Sequence, residues 1–193
     1  MPNSYKLDKV LFIGASTGGP SQIQSIIKAL PKLERTAIII AQHMAPDFVV
    51  SFAKRLNEHS NNSVQIVQDS LKIEAGAIYI SQGFSTIHST DMGLEFHLTC
   101  SNGYKYNPDI NTLFSSFVPF VKSYKTLVVI LTGIGDDGVS GGKELSLMGA
   151  RAITQSQESA IVDGMPLRAR ALIESIEVYD TNGIKNKIME FCN

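Results

Sequence analysis

Cysteine is scarce: Cys100 and Cys192 are the only two in 193 residues, and no Cys-x-x-Cys pair occurs. That excludes a disulfide framework, a zinc ribbon and a dithiol redox motif, and the chain reads as a reduced, cytoplasmic protein. An excess of one charge is also lacking. Lys and Arg number 17 against 18 Asp and Glu, for a net charge of −1, so the basic face of a dedicated nucleic-acid binder is missing. No apolar run approaches the ~18 residues that cross a bilayer, which excludes membrane insertion. The opening Met-Pro-Asn-Ser-Tyr-Lys-Leu-Asp-Lys holds no apolar signal region. Internal repeats, charge blocks and low-complexity linkers do not occur. What remains is a composition of 44% apolar and 18% charged residues, enough to bury a core and to exclude disorder for the bulk of the chain. At ~150 residues per domain, the length fits one domain over 1–193.

The hydrophobic pattern alternates between strand and helix. Val10–Ile13, Ala37–Ala41 and Leu127–Leu131 are short apolar runs rich in β-branched residues, as strands covered on both faces require. Helical spacing follows the first at Ile23, Ile26, Ile27 and Leu30, and the second at Phe48, Val49, Phe52, Ala53 and Leu56. Shorter strands are expected at Val64–Val67, Ala77–Ile80, Ala152–Thr154 and Ile176–Tyr179. Thr86–His88 and Leu94–Leu98 flank the turn Asp91-Met92-Gly93 and predict a hairpin. Thr99–Pro108 reads as an exposed loop, and Asn111–Val121 as a helix interrupted at Pro119. Gly133–Gly142 reads as a glycine-rich turn before a short helix at Gly142–Met148. Helices at Pro166–Glu174 and Asn182–Phe191 complete the chain. The expected fold is α/β: a doubly wound, mostly parallel sheet between helix layers, with an antiparallel hairpin at one edge.

The polar residues of interest stand where strands end. Gly14-Ala15-Ser16-Thr17-Gly18 joins the first strand to the first helix and fits Gly-x-Ser-x-Gly, the turn that lifts a serine hydroxyl above a sheet. The same pattern suits the glycine turn of a nucleotide-binding oxidoreductase. Against that reading, the only Tyr-x-x-x-Lys, Tyr5 to Lys9, precedes the turn. The second strand ends Ala41-Gln42-His43, without the acidic residue that holds a ribose. No Gly-Lys-Ser/Thr phosphate loop follows either. His43 lies at the carboxyl end of the second strand, the edge where ligands gather in such sheets. His59, His88 and His97 are weaker candidates, one in a polar loop and two in the hairpin region. Asp136 and Asp137 follow the strand Leu127–Leu131 through another glycine turn. Either could orient His43, cap the next helix, or both tasks could be divided between them. A metal site lacks further ligands at suitable spacing. Three strand ends thus carry a Ser…His…Asp set, whose chain order is no obstacle because the set arises on unrelated scaffolds.

Four blocks together carry a resemblance: Ile13-Gly14-Ala15-Ser16-Thr17-Gly18-Gly19-Pro20, Gln42-His43-Met44-Ala45-Pro46, Leu131-Thr132-Gly133-Ile134-Gly135-Asp136-Asp137-Gly138, and Gly164-Met165-Pro166. From about Lys9 onward the chain resembles the catalytic domain of the bacterial chemotaxis protein-glutamate methylesterases, the CheB family. The resemblance implies hydrolysis of glutamate γ-methyl esters on cytoplasmic chemoreceptor helices, with release of methanol, and deamidation of certain receptor glutamines. It places the nucleophile on Ser16, the histidine on His43 and the aspartate on Asp137, with Asp136 where the family often has Asn. It implies no cofactor and no metal. By position, the oxyanion donors are expected at the backbone N–H groups of Thr17 and Ile134, the latter where the family commonly has Met.

The chain departs from the family at three points. Family members usually carry an N-terminal phosphoacceptor domain, and about nine residues before the first strand leave no room for one. Control by phosphorylation in cis is then expected to be lost, whether these residues are a fragment or a stand-alone enzyme, and a separate response regulator is a candidate partner. Pro108-Asp109-Ile110-Asn111 stands where the family often shows Pro-Ser-x-Asp, so a receptor-facing loop is expected to read a different partner. Arg168 and Arg170 replace a usual Arg-then-Glu pattern; a solvated helix face is the favoured reading, contact with an acidic receptor surface the other. A catalytically silent receptor-binding module is a further alternative, opposed by the coexistence of Ser16, His43 and Asp137.

Overall fold

A computed structural model describes residues 6–99 and 106–193. Seven strands form one parallel sheet: β1 (Lys9–Ala15), β2 (Thr36–Gln42), β3 (Ser63–Ile66), β4 (Ala77–Ile80), β7 (Lys125–Ile130), β8 (Arg151–Gln155) and β9 (Glu177–Tyr179). Their order across the sheet is β3-β4-β2-β1-β7-β8-β9, and each neighbouring pair is parallel. β1 lies at the centre, flanked in register by β2 and β7, with Ile13 opposite both Ile40 and Val129.

Alternate residues of β1 serve two cores. Val10 and Phe12 face one side, where α3 (Ile110–Ser116), α4 (Val139–Leu147) and α5 (Gly164–Leu172) contribute Leu113, Phe114, Leu145 and Ala169. Leu11 and Ile13 face the other, where α1 (Gly19–Ala29), α2 (Pro46–His59) and α6 (Thr181–Cys192) contribute Ile23, Ile27, Phe52, Leu56 and Ile188. A strand buried on both faces cannot alternate apolar and polar residues, which explains the unbroken apolar run in β2.

The expected hairpin is present as β5 (Phe84–Thr90) and β6 (Gly93–Thr99), paired antiparallel in a two-stranded sheet of their own. It sits over a face of the parallel sheet, because Ile87, Leu94 and Phe96 bury themselves in the α3 core. Helix α3 ends at Ser116 and yields to a 3-10 turn at Val118–Phe120, with Pro119 inside it, as the interruption at that proline requires. Helix α4 begins at Val139, earlier than the glycine content suggested. Gly141 and Gly142 belong to the helix, and Gly141 is there for packing: a Cβ on it would lie 2.7 Å from both the Asn111 carbonyl and Phe114 Cβ of α3.

The site follows from this topology. The chain runs outward on one side of β1 through β2, then returns to the other side as β7. At such a reversal the loops leaving the two central strands part company and open a crevice at the carboxyl ends. Ser16, His43 and the 132–138 turn leave β1, β2 and β7 at that end.

Candidate active site

Ser16 occupies the first position after β1. Its N–H donates to the Thr132 carbonyl at 3.0 Å, tying the β1 turn to the β7 turn, and its own carbonyl accepts from Gly19 N–H at 2.9 Å. Gly18 turns the chain at φ 84°, a left-handed conformation that glycine adopts without a Cβ penalty. Among the described residues Ser16 Oγ has no hydrogen-bond partner. Gly133 lets the two turns approach closely: a Cβ there would lie 2.7 Å from Ser16 Cβ and would collide with Met165 Sδ. Met165 of the Gly-Met-Pro block is fully buried and packs against Gly133 beside Ser16.

His43 follows β2, its N–H donating to the Ala15 carbonyl at 2.9 Å. Its Nε2 lies 2.7 Å from Asp137 Oδ2, in a pair whose side chains are 13% and 1% exposed. Tyr106 stacks flat on the imidazole, with ring centroids 4.8 Å apart and planes 4° from parallel.

Asp137 does not cap the helix that follows it. Gly138 is the N-cap of α4 and provides no side chain. The Asp137 carboxylate instead reaches α3: Oδ2 accepts from Ile110 N–H and Oδ1 from Asn111 N–H, both at 2.9 Å. The favour is returned, because Asn111 Oδ1 accepts from Gly138 and Gly141 N–H, each at 3.0 Å. Two helix N-termini thus satisfy each other's unpaired donors. Charge-assisted bonds of the Asp137 kind contribute about 1.5–3 kcal/mol each. Asp136 is exposed and takes no part in the His43 pair.

The residues at 108–111 have a structural use. Asp109 caps α3 by accepting from Thr112 N–H at 2.8 Å, and Asn111 caps α4. Arg170 is likewise engaged, donating to Asp163 Oδ2 at 2.6 Å and to the Gln155 carbonyl at 2.7 Å, while Arg168 is exposed. His59 bonds the Arg55 carbonyl at the end of α2. His88 and His97 pair with each other on the hairpin, 4.3 Å between centroids. None of these three histidines lines the cleft that holds Ser16 and His43. Burial pushes the Cys192 thiol up to about 12, removing it as a nucleophile at neutral pH; Cys100 lies outside the described residues.

The cleft has a volume of about 480 Å³ and is lined by Ser16, His43, Met44, Tyr106 and Ile134. A larger cavity, of about 600 Å³, opens at the amino ends of the strands between Lys6, Lys32, Glu74 and Tyr124, and contains none of the candidate groups. The Ile134 side chain is 64% exposed. Among the described residues, the backbone N–H groups of Thr17 and Ile134 donate to nothing. Groups of three or more potential metal ligands are absent among the described residues.

The family model of CheB methylesterase matches residues 11–188. The chain belongs to the CheB methylesterase family. Similar proteins include the protein-glutamate methylesterase/protein-glutamine glutaminase of Pectobacterium atrosepticum, 32% identical over 185 residues, and that of Salmonella typhimurium, 33% identical over 185 residues. Each alignment covers 94% of this chain and 52% of the relative, so the chain spans about half the length of these curated proteins. The crystal structure of the Thermotoga maritima CheB methylesterase catalytic domain superposes with a TM-score of 0.85 at 30% identity. The match covers 95% of this chain and 98% of that one. The fold of this CheB-family chain is thus that of the catalytic half.

Sequence reasoning passed over Gln42, Tyr106 and Thr132. Gln42 is 2% exposed and its Nε2 donates to the carbonyls of Ser16 and His43 at 2.8 and 2.9 Å. Thr132 is fully buried, and its hydroxyl reaches the Thr17 carbonyl at 2.9 Å. Both adjoin residues already singled out, and a polar side chain at the end of an otherwise apolar strand was the available signal.

Proposed function

We propose that residues 1–193 act as a single catalytic domain, a serine hydrolase that demethylates glutamate γ-methyl esters on the cytoplasmic helices of chemoreceptors. The observation that carries this reading is the 2.7 Å bond between His43 and a buried Asp137 in the same cleft as an unengaged Ser16. Asp137 takes the Nε2 side of the imidazole, so Nδ1 is the nitrogen that receives the Ser16 proton. Serine Oγ attacks the ester carbonyl as that proton moves to His43 Nδ1. Negative charge develops on the carbonyl oxygen, and the Thr17 and Ile134 N–H groups, otherwise unused, meet it.

Collapse of the tetrahedral species breaks the bond to the methoxy group, which leaves as methanol with the proton from His43. The γ-acyl group remains on Ser16 as an ester. Water then attacks the acyl carbon, giving a proton to His43; the bond to Ser16 Oγ breaks as His43 returns that proton to Oγ, and the glutamate leaves as the free acid and ionises. A receptor glutamine enters the same cycle with ammonia as its leaving group. The aspartate holds the tautomer and stabilises the imidazolium, without taking the proton itself. No described helix is long and apolar enough to cross a membrane.

Methanol release from methylated receptor tests the reading. The parent chain is expected to release methanol, and Ser16→Ala and His43→Ala are expected to release none above background. Absence of release from a folded parent, with receptor binding intact, would favour the silent binding module.

A further inference from the structure

We propose that Gln42 is a positioning residue: its buried side-chain amide aims the Ser16–Thr17 peptide group so that the Thr17 N–H faces the developing oxyanion. The inference rests on the serine-hydrolase reading.

Gln42 closes β2 and is 2% exposed. Its Nε2 donates to the Ser16 carbonyl at 2.8 Å, and Gly19 N–H donates to the same oxygen at 2.9 Å. In a trans peptide the carbonyl and the next N–H point in opposite directions. Two donors fixed on the Ser16 oxygen therefore fix the heading of the Thr17 N–H, which donates to nothing among the described residues. The same Nε2 donates to the His43 carbonyl at 2.9 Å. One planar group thus references the backbone of both nucleophile and base.

Two carbonyl acceptors require the NH₂ end of the amide at that place. The other end, Oε1, is consequently buried without a partner. It lies against Gly19, where a Cβ would collide with it and would come within 2.7 Å of Ala15 Cβ. A buried polar atom without a partner opposes folding. Methionine would fill the same space without that cost, so packing alone does not account for the amide.

The test compares Gln42→Met with the parent. Two readouts apply: the rate at which a fluorophosphonate labels Ser16, and kcat and KM for p-nitrophenyl acetate. Thermal melting checks folding. Misdirecting one donor is expected to slow labelling and kcat by about 10–100-fold, with KM within about twofold because the cleft walls are unchanged. A folded variant labelled at the parent's rate, or one that loses KM alone, overturns the proposal. A parent that is never labelled overturns the serine-hydrolase reading instead. If Gln42→Met does not fold, side-chain amide exchange in the parent decides. Gln42 NH₂ protons protected like core backbone amides support the proposal, and exchange as fast as a surface glutamine refutes it.

Discussion

The two halves of the candidate cleft are built on opposite plans. On the His43 side, Asp137 is 1% exposed and its two oxygens accept from His43, Ile110 and Asn111. On the Ser16 side, Ser16 Oγ and the N–H groups of Thr17 and Ile134 are without partners among the described residues, and Ile134 is exposed. The first half is fully bonded as it stands; on the proposed mechanism the second is completed by substrate. Preorganised but unspent donors act where charge appears, whereas a wandering aspartate would cost orientation in every cycle. The two halves should therefore separate cleanly in their effects on activity and on stability.

The largest expected contrast is between Ser16→Ala and Asp137→Ala. Removing the Ser16 hydroxyl should cost about 10⁴–10⁶ in kcat and change stability by about 0.5 kcal/mol or less, measured by methanol release and urea unfolding. Asp137→Ala should lower kcat by about 10⁴ and also destabilise by about 3 kcal/mol, because buried N–H groups of α3 lose their acceptor. Equal stability losses in the two variants would break the comparison.

A smaller effect sharpens it. Asn111→Ala removes the acceptor for Gly138 and Gly141 N–H and should destabilise by about 1 kcal/mol, the usual worth of a helix cap. Since Asp137 sits in the turn that this cap holds, kcat should fall several-fold, with KM less affected. Stability loss without any change in kcat would show that the α3–α4 clamp is structural only. The smallest effect is expected at Ile134→Met. A backbone donor is indifferent to the side chain beside it, so methanol release should stay within about twofold. A loss of tenfold or more would mean that the exposed side chain itself contacts substrate.

Much of this was legible in the residues, for a physical reason. Ser16 and His43 each follow an apolar strand directly and Asp137 follows one through a glycine turn, and parallel strands deliver such positions to one edge. Partners that come from distant segments were not legible. Nothing in Asp137 announces that its acceptors serve Ile110 and Asn111, and nothing in Pro108-Asp109-Ile110-Asn111 announces that its side chains cap two helices. Tyr106 lies in a stretch with little apolar content, yet it covers His43. Gly141 and Gly142 read as turn residues because a glycine tolerated for close helix packing and a glycine demanded by a turn look alike in sequence. Gln42 was noticed for what it is not, an acidic ribose ligand, and its two donor bonds became visible only with Ser16 beside it.

The most direct test of the central claim is to catch the acyl group where the unspent half of the cleft should receive it. A peptide carrying a glutamate γ-methyl ester is mixed with the parent chain, quenched in acid within the first turnover, and the protein is digested and weighed. The account predicts a mass increase equal to the peptide minus methanol, on the fragment containing Ser16, and no such adduct in Ser16→Ala. Steady methanol release from the parent with no adduct on Ser16, or with undiminished release from Ser16→Ala, would contradict it.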